Sequence, residues 1–265
     1  MDNEAYVLVR DEGPVRWLTL NRGAQRNPLS LAMIDALHGA LYDAATDQRV
    51  RALVLTGDGP GFCAGHDLGE IESHRADTDQ GIAFFELLMA RCGELMQAIV
   101  HHPQPVIACV NGVATAAGAQ LVASCDLAYA IDSARFGTPG VNIGLFCSTP
   151  MVAVSRNVHN KHAMEMLLTG DMIDVTRAEQ IGLINASREP DELASEVTRV
   201  ANIIASKSMH TLRVGKDAFY RQRELSLADA YAYTGDVMVK NLLANDAKEG
   251  INAFVEKRVP VWQDS

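Results

Sequence analysis

Short apolar runs punctuated by turn residues alternate with stretches of helical period over the first ~190 residues, and helical periodicity fills most of the remainder. Tyr6 to Arg10 and Val15 to Leu20 read as strands flanking the turn cluster Asp11-Glu12-Gly13-Pro14. Ser30 caps a helix to about Asp47, with apolar positions at Leu31, Ile34, Leu37 and Leu41. Arg51 to Thr56 reads as a buried strand, Gly57 to Gly65 as a glycine-rich loop, and helices follow around Ile71 and from Gly81 to Val100. Strands are expected at Pro105 to Val110, Leu127 to Ala130, Arg135-Phe136 and Gly182 to Ala186, and helices at Lys161 to Leu168, Thr176 to Gln180 and from Asp191 onward. Alternating strands and helices predict an α/β fold with a largely parallel sheet, because parallel strands need a crossover.

The run PVIACVNGVATAAGAQLVASCDLAY (105–129) is unusual in its small residues. A strand ends at Asn111-Gly112, and the next helix opens on Ala116-Ala117-Gly118-Ala119. A first turn of Ala and Gly leaves the unpaired N–H groups uncovered, which suits an oxyanion; it equally suits close helix–sheet packing. The glycine-rich segments GDGPG and GVNIG do not form the G-x-G-x-x-G that a dinucleotide fold places after its first strand.

Charge narrows the partners. Asp and Glu outnumber Lys and Arg 33 to 23, a net charge of −10, so no nucleic-acid or membrane surface is expected and an anionic ligand must meet a local basic cluster. The five cysteines are scattered through apolar runs, which predicts free thiols in a reducing compartment and no metal site. An acidic N-terminus, without the basic and apolar regions of a secretory leader, and the lack of a run of roughly 18 apolar residues predict a soluble cytoplasmic protein.

Four segments, NRGAQRNPLS (21–30), GPGFCAGHDL (59–68), 105–127 and FGTPGVNIGLF (136–146), resemble in order and spacing the crotonase (enoyl-CoA hydratase/isomerase) superfamily, as does the closing FVEKRVPVW. The resemblance implies a spiral of β-β-α units forming two near-perpendicular sheets. It places the core in residues 1–200 and a helical oligomerisation region, for a homotrimer or homohexamer, in 201–265. It also implies a coenzyme A thioester as ligand, with no covalently bound cofactor and coenzyme A entering as part of the substrate. The thioester oxygen would be held by the backbone N–H groups of His66 and Ala117. Ala64, His66, Asp67 and Leu68 of the loop would contact the ligand, and Arg22, Arg26, Lys257 and Arg258 are the candidate cations for its phosphates.

The family's hydratases carry two glutamates, at positions held here by Gln120 and Gly140. An amide does not take up a proton near neutral pH and glycine has no side chain, so conventional hydration is expected to be slow. Gln120 is expected near the oxyanion site, three residues beyond Ala117 on the same helix face, and restoring both glutamates would be expected to raise hydration. By resemblance to 1,4-dihydroxy-2-naphthoyl-CoA synthase, Cys147 falls where a catalytic Asp stands. It is a candidate nucleophile or base if its pKa is lowered, and otherwise a small buried hydrophobe. The His66 imidazole orients a polar acyl group, moves a proton, or is a solvated loop side chain. Two functions follow, an enolate-stabilising enzyme with a divergent acid/base set or a non-catalytic acyl-CoA binder. A Clp-like serine protease fails for want of a serine at the helix opening.

Overall fold

The computed structural model describes residues 4–265. Its first sheet has six strands in the order β1-β2-β3-β5-β7-β10: β1 (Val7–Glu12), β2 (Val15–Leu20), β3 (Ala52–Gly57), β5 (Val106–Val110), β7 (Leu127–Ile131) and β10 (Ala186–Arg188). Only the β1–β2 hairpin is antiparallel; the other neighbours run parallel. Parallel strands buried on both faces read as near-continuous apolar runs, and β3 and β5 do so for that reason. Their alternate residues serve two cores. Leu18, Leu53, Leu55, Val106 and Ala108 face the main core, while Trp17, Val54 and Ile107 face helix α8 (Pro190–Ala205) through Leu193, Val197 and Ala201.

The second sheet is smaller. It joins β4 (Gly61–Cys63), β6 (Val113–Thr115), β8 (Arg135–Gly137) and β9 (Ile173–Asp174). These strands have two or three residues each, too short for a period to show, so 61–63 reads as loop from sequence although it is the sheet that shapes the site. The expected strand at 182–186 starts later: Gly182 turns at φ +79°, and Asn185 first bonds Ala128 through both its backbone N–H and its side-chain oxygen.

The helices in chain order are α1 (Leu31–Thr46), α2 (Leu68–His74), α3 (Ile82–Val100), α4 (Ala117–Ser124), α5 (Pro150–Asn157), α6 (Asn160–Thr169), α7 (Val175–Gln180), α8, α9 (Met209–Gln222), α10 (Leu227–Leu243) and α11 (Asn245–Glu256). Every residue of α4 is buried, placing this helix between the sheets and α3. Helix α8 runs past residue 200 to Ala205, so the chain leaves the core at Ser206–Ser208. Helix α9 is fastened back to it by Lys216, whose ammonium donates to Asp126 at 2.7 Å and to the carbonyls of Ile99 and Gln104. By contrast α10 buries no residue, and Tyr231 and Leu243 stand 75% and 81% exposed. No described helix is long and apolar enough to cross a membrane.

Candidate active site

A cavity of about 660 Å³ opens between the loop after β4, the start of α4, helices α2 and α3, and the segment from Pro139 to Pro150. Its wall includes Ala64, His66, Leu68, Ala117, Gly140 and Cys147, half of the candidate site residues named from sequence, together with Ala116.

Backbone geometry explains the two donors. Leu29 forms an isolated parallel bridge with His66, in which the Leu29 N–H donates to Gly65 and the Asp67 N–H donates to Leu29. The residue opposite such a bridge turns its own N–H and C=O away from the partner, so the His66 N–H finds no acceptor there. Ala116 has φ +49° and ψ −117°, a conformation alanine rarely adopts, and its N–H is held by the Gly137 carbonyl. This turn starts α4 abruptly and leaves the Ala117 N–H among the unpaired donors of the first turn. The glycines set the approach: a Cβ on Gly118 would lie 2.1 Å from the Cys63 carbonyl oxygen, and one on Gly65 would lie 2.9 Å from the Ala116 Cβ and 3.3 Å from the Ala117 nitrogen. Glycine at both positions therefore lets loop and helix meet, with both donors beside the same cavity.

The replaced glutamate positions behave differently from each other. Gln120 is buried but does not line the cavity. Its amide oxygen faces α3, where the Cys92 thiol lies 4.0 Å away, so the expectation that its side chain stands at the oxyanion site is corrected. Helix α4 is buried all round, and a three-residue step along it rotates the side chain toward its helical neighbour. Gly140 does reach the cavity, but the space a side chain would need is taken: a Cβ there would lie 2.5 Å from the Leu145 carbonyl oxygen and 2.9 Å from the Cys147 sulfur. The Leu145 N–H in turn donates to the Gly140 carbonyl at 2.9 Å, closing the turn on itself. Burial pushes the Cys147 thiol pKa up, against the opposing hydrogen bond from the Gly140 N–H, so the sulfur stays protonated instead of becoming the activated thiolate considered from sequence.

His66 is not a solvated loop side chain. Its imidazole lines the cavity, its Nε2 is buried without a hydrogen-bond partner, and desolvation lowers its pKa to about 4. Asp67 is committed to capping α2, its carboxylate accepting from the Gly69 and Glu70 N–H groups. The cavity wall contains no Asp or Glu.

Among the candidate cations, Arg22 is spent on the N-terminal segment: it stacks on Tyr6 at 3.9 Å and donates to the carbonyls of Glu4, Ala5 and Asn21. Arg258 is paired with Glu249 and Glu256, and Lys257 is the exposed left-handed C-cap of α11. Arg26 remains beside the site, its carbonyl receiving the N–H of the cavity residue Ala64. Helices α2 and α3 add Ile71, Arg75, Phe85, Leu88 and Met89, which their sequence pattern marks as helical without showing that they meet the loop.

A family model described as enoyl-CoA hydratase/isomerase matches residues 10–265. The chain belongs to this family. It is 43% identical over 253 residues to enoyl-CoA hydratase domain-containing protein 3, mitochondrial, of Rattus norvegicus, covering 96% of this chain and 83% of the relative. The crystal structure of human enoyl coenzyme A hydratase domain-containing protein 3 superposes with a TM-score of 0.92 at 42% identity, covering 97% of this chain and all of that one. That of an enoyl-CoA hydratase from Mycobacterium smegmatis gives 0.92 at 47%, covering 98% and 99%. The crotonase fold expected from the sequence motifs is thereby shown. The expected cytoplasmic location is overturned, since the Rattus norvegicus, Mus musculus, Xenopus laevis and Homo sapiens relatives are all named mitochondrial. Free thiols mark a reducing compartment and do not choose among the several that keep thiols reduced.

Proposed function

We propose that this crotonase-family chain binds the acyl-CoA thioesters of apolar acyl groups and stabilises the thioester enolate through the backbone N–H groups of His66 and Ala117, while hydrating 2-enoyl thioesters slowly. The observation that carries this reading is the pair of main-chain donors, neither spent on a protein acceptor, beside one largely apolar cavity. Donors aimed in advance at a developing oxyanion are worth roughly 3 to 4 kcal/mol each in the transition state. Arg26 is the phosphate contact that the placement favours, being the candidate cation adjacent to the cavity loop. The names of the relatives, enoyl-CoA hydratase among them, support the thioester; the cavity wall, without a carboxylate, argues against ordinary hydration.

That same lack of a carboxylate favours a second reading, a binder that holds the thioester without turnover. Solvent deuterium exchange at the acyl α-carbon, followed by mass spectrometry alongside calorimetric binding, separates the two. Exchange with slow hydration supports the enzyme, binding without exchange supports the binder, and brisk hydration of crotonyl-CoA refutes the argument from Gln120 and Gly140. The bare α10 surface supports assembly as a homotrimer or homohexamer.

A further inference from the structure

The small sheet leads toward both main-chain donors, but its pairing stops short of them. β4 and β6 pair at Gly61 with Val113 and, after a register shift, at Cys63 with Ala114, where the ladder ends; His66 and Ala117 each lie three residues further on. The backbone does not continue the link at Ala116, whose N–H is turned to the Gly137 carbonyl of β8. On the β4 side, the Ala64 N–H is given to the Arg26 carbonyl. The Ala64 carbonyl is met by a side chain instead: the Thr115 hydroxyl donates to it at 3.0 Å. This bond carries the connection between the two strands one residue past the last pair, with Ala64 two residues before His66 and Thr115 two before Ala117. Gly65 lies against the same peptide, since a Cβ on it would stand 3.1 Å from the Thr115 carbonyl oxygen.

Resting on the reading that the His66 and Ala117 N–H groups hold the thioester oxygen, we propose that Thr115 is a positioning residue whose hydroxyl sets the gap between those two donors. Thr115 is not among the residues lining the cavity, so it acts through the loop and the helix start and not on the ligand. The turn that follows it needs such a tie. Ala116, at φ +49° and ψ −117°, holds a conformation that an alanine keeps only where its surroundings over-determine it. The Gly137 carbonyl fixes this turn from one side and the bond from Thr115 to Ala64 fixes it from the other. Without the hydroxyl the Ala64 carbonyl turns to water, and the loop from Ala64 to His66 is free to draw away from the start of α4. Two N–H groups share one oxygen only while both point at it within hydrogen-bonding range, so a small shift weakens the hold on the carbonyl and leaves the contacts of the acyl chain and of coenzyme A in place. A hydroxyl one carbon from the backbone is the shortest side-chain donor available, and threonine adds the β-branching that suits a strand.

The experiment is calorimetric titration of the full chain with butanoyl-CoA and with S-butyl-CoA, the thioether that keeps the chain and lacks the carbonyl oxygen, repeated on Thr115→Val and Thr115→Ser. The wild type is expected to bind the thioester about tenfold more tightly than the thioether, the scale of a pair of net hydrogen bonds to a neutral carbonyl. Thr115→Val keeps the shape and the β-branching, so the strand still forms, and it should cut that ratio about threefold while S-butyl-CoA affinity stays within about twofold. Thr115→Ser keeps the hydroxyl and should hold the ratio within about twofold of the wild type. A ratio unchanged in Thr115→Val, an equal weakening of both ligands, or a Thr115→Ser as impaired as Thr115→Val overturns the proposal and leaves the thioester reading standing. Equal binding of the two ligands by the wild type, or binding of neither, takes away the donors' hold on the carbonyl, and both readings fall.

Discussion

Replacing Gly140 with alanine tests the divergence of this site more sharply than restoring a glutamate. A Cβ at 140 would stand 2.5 Å from the Leu145 carbonyl oxygen and 2.9 Å from the Cys147 sulfur, both under the 3.0 Å that real Cβ contacts essentially respect. The sulfur belongs to a side chain and can rotate. The carbonyl cannot, because the Leu145 N–H bonds back to Gly140 and Leu145 continues directly into the cavity wall. Relief therefore requires the turn from Pro139 to Cys147 to shift. Overpacking of this kind costs about 1–3 kcal/mol, and for a chain of this size that lowers Tm by on the order of 5 °C. Gly140→Ala and Gly140→Glu should lose similar stability by differential scanning calorimetry, because the first carbon makes the clash. The double variant Gly140→Ala with Cys147→Ala should recover little, because the Leu145 contact remains. Crotonyl-CoA hydration, followed as loss of enoyl absorbance, should not rise in Gln120→Glu with Gly140→Glu, contrary to what the sequence alone suggests. A doubly substituted protein with unchanged Tm and hydration raised tenfold or more would refute the reasoning.

Other outcomes follow from named contacts. Gly118→Ala drives a Cβ to within 2.1 Å of the Cys63 carbonyl oxygen and should separate the two N–H donors, weakening acyl-CoA binding at least tenfold in calorimetry as well as lowering Tm. Lys216→Met leaves Asp126 in a partly buried site with only Tyr220 and the Val106 N–H, and should cost about 3 kcal/mol or more in urea unfolding. The folded-state pKa of His66 is depressed from 6.5 to about 4, so the unfolded chain binds the extra proton in that window; the stability this represents, about 3 kcal/mol, is intact above pH 6.5 and lost as pH falls toward 4. The Tm difference between wild type and His66→Phe should therefore change between pH 7 and pH 5, and a constant difference would show the ring to be solvated. Leu243→Glu on α10 should shift the protein to a smaller species in light scattering, and a wild type that runs at 28.7 kDa would remove the basis for an assembly.

The large sheet and most helices were legible because their apolar periods are long enough to count, as in Ala52–Gly57 and Leu31–Thr46. The small sheet was not, since β4, β6 and β9 owe their pairing to partners distant in sequence. At the site, small residues and a glycine loop marked the two main-chain N–H groups that stand unpaired beside the cavity, and Gly140 marked a stretch of its wall that carries no carboxylate. Side-chain direction lay beyond that signal: Gln120 shares a helix face with Ala117 on a helical wheel yet reaches Cys92, and His66 and Asp67 are chain neighbours with opposite fates, cavity wall and helix cap. His102, just past the end of α3, carries no periodic signal and is a buried strut whose Nε2 meets the Leu41 carbonyl at 2.9 Å.

The single bridge between Leu29 and His66 makes the direction of the His66 N–H a matter of register. The residue opposite the bonded one in such a bridge turns its N–H away, and the left-handed turn at Gly65, φ +94°, decides that this residue is His66. A change of side chain at Ala64 leaves that register intact. A Cβ at Gly65, 2.9 Å from that of Ala116, or a one-residue insertion or deletion between Cys63 and His66 would shift it, so the loop is held both to its length and to its glycine.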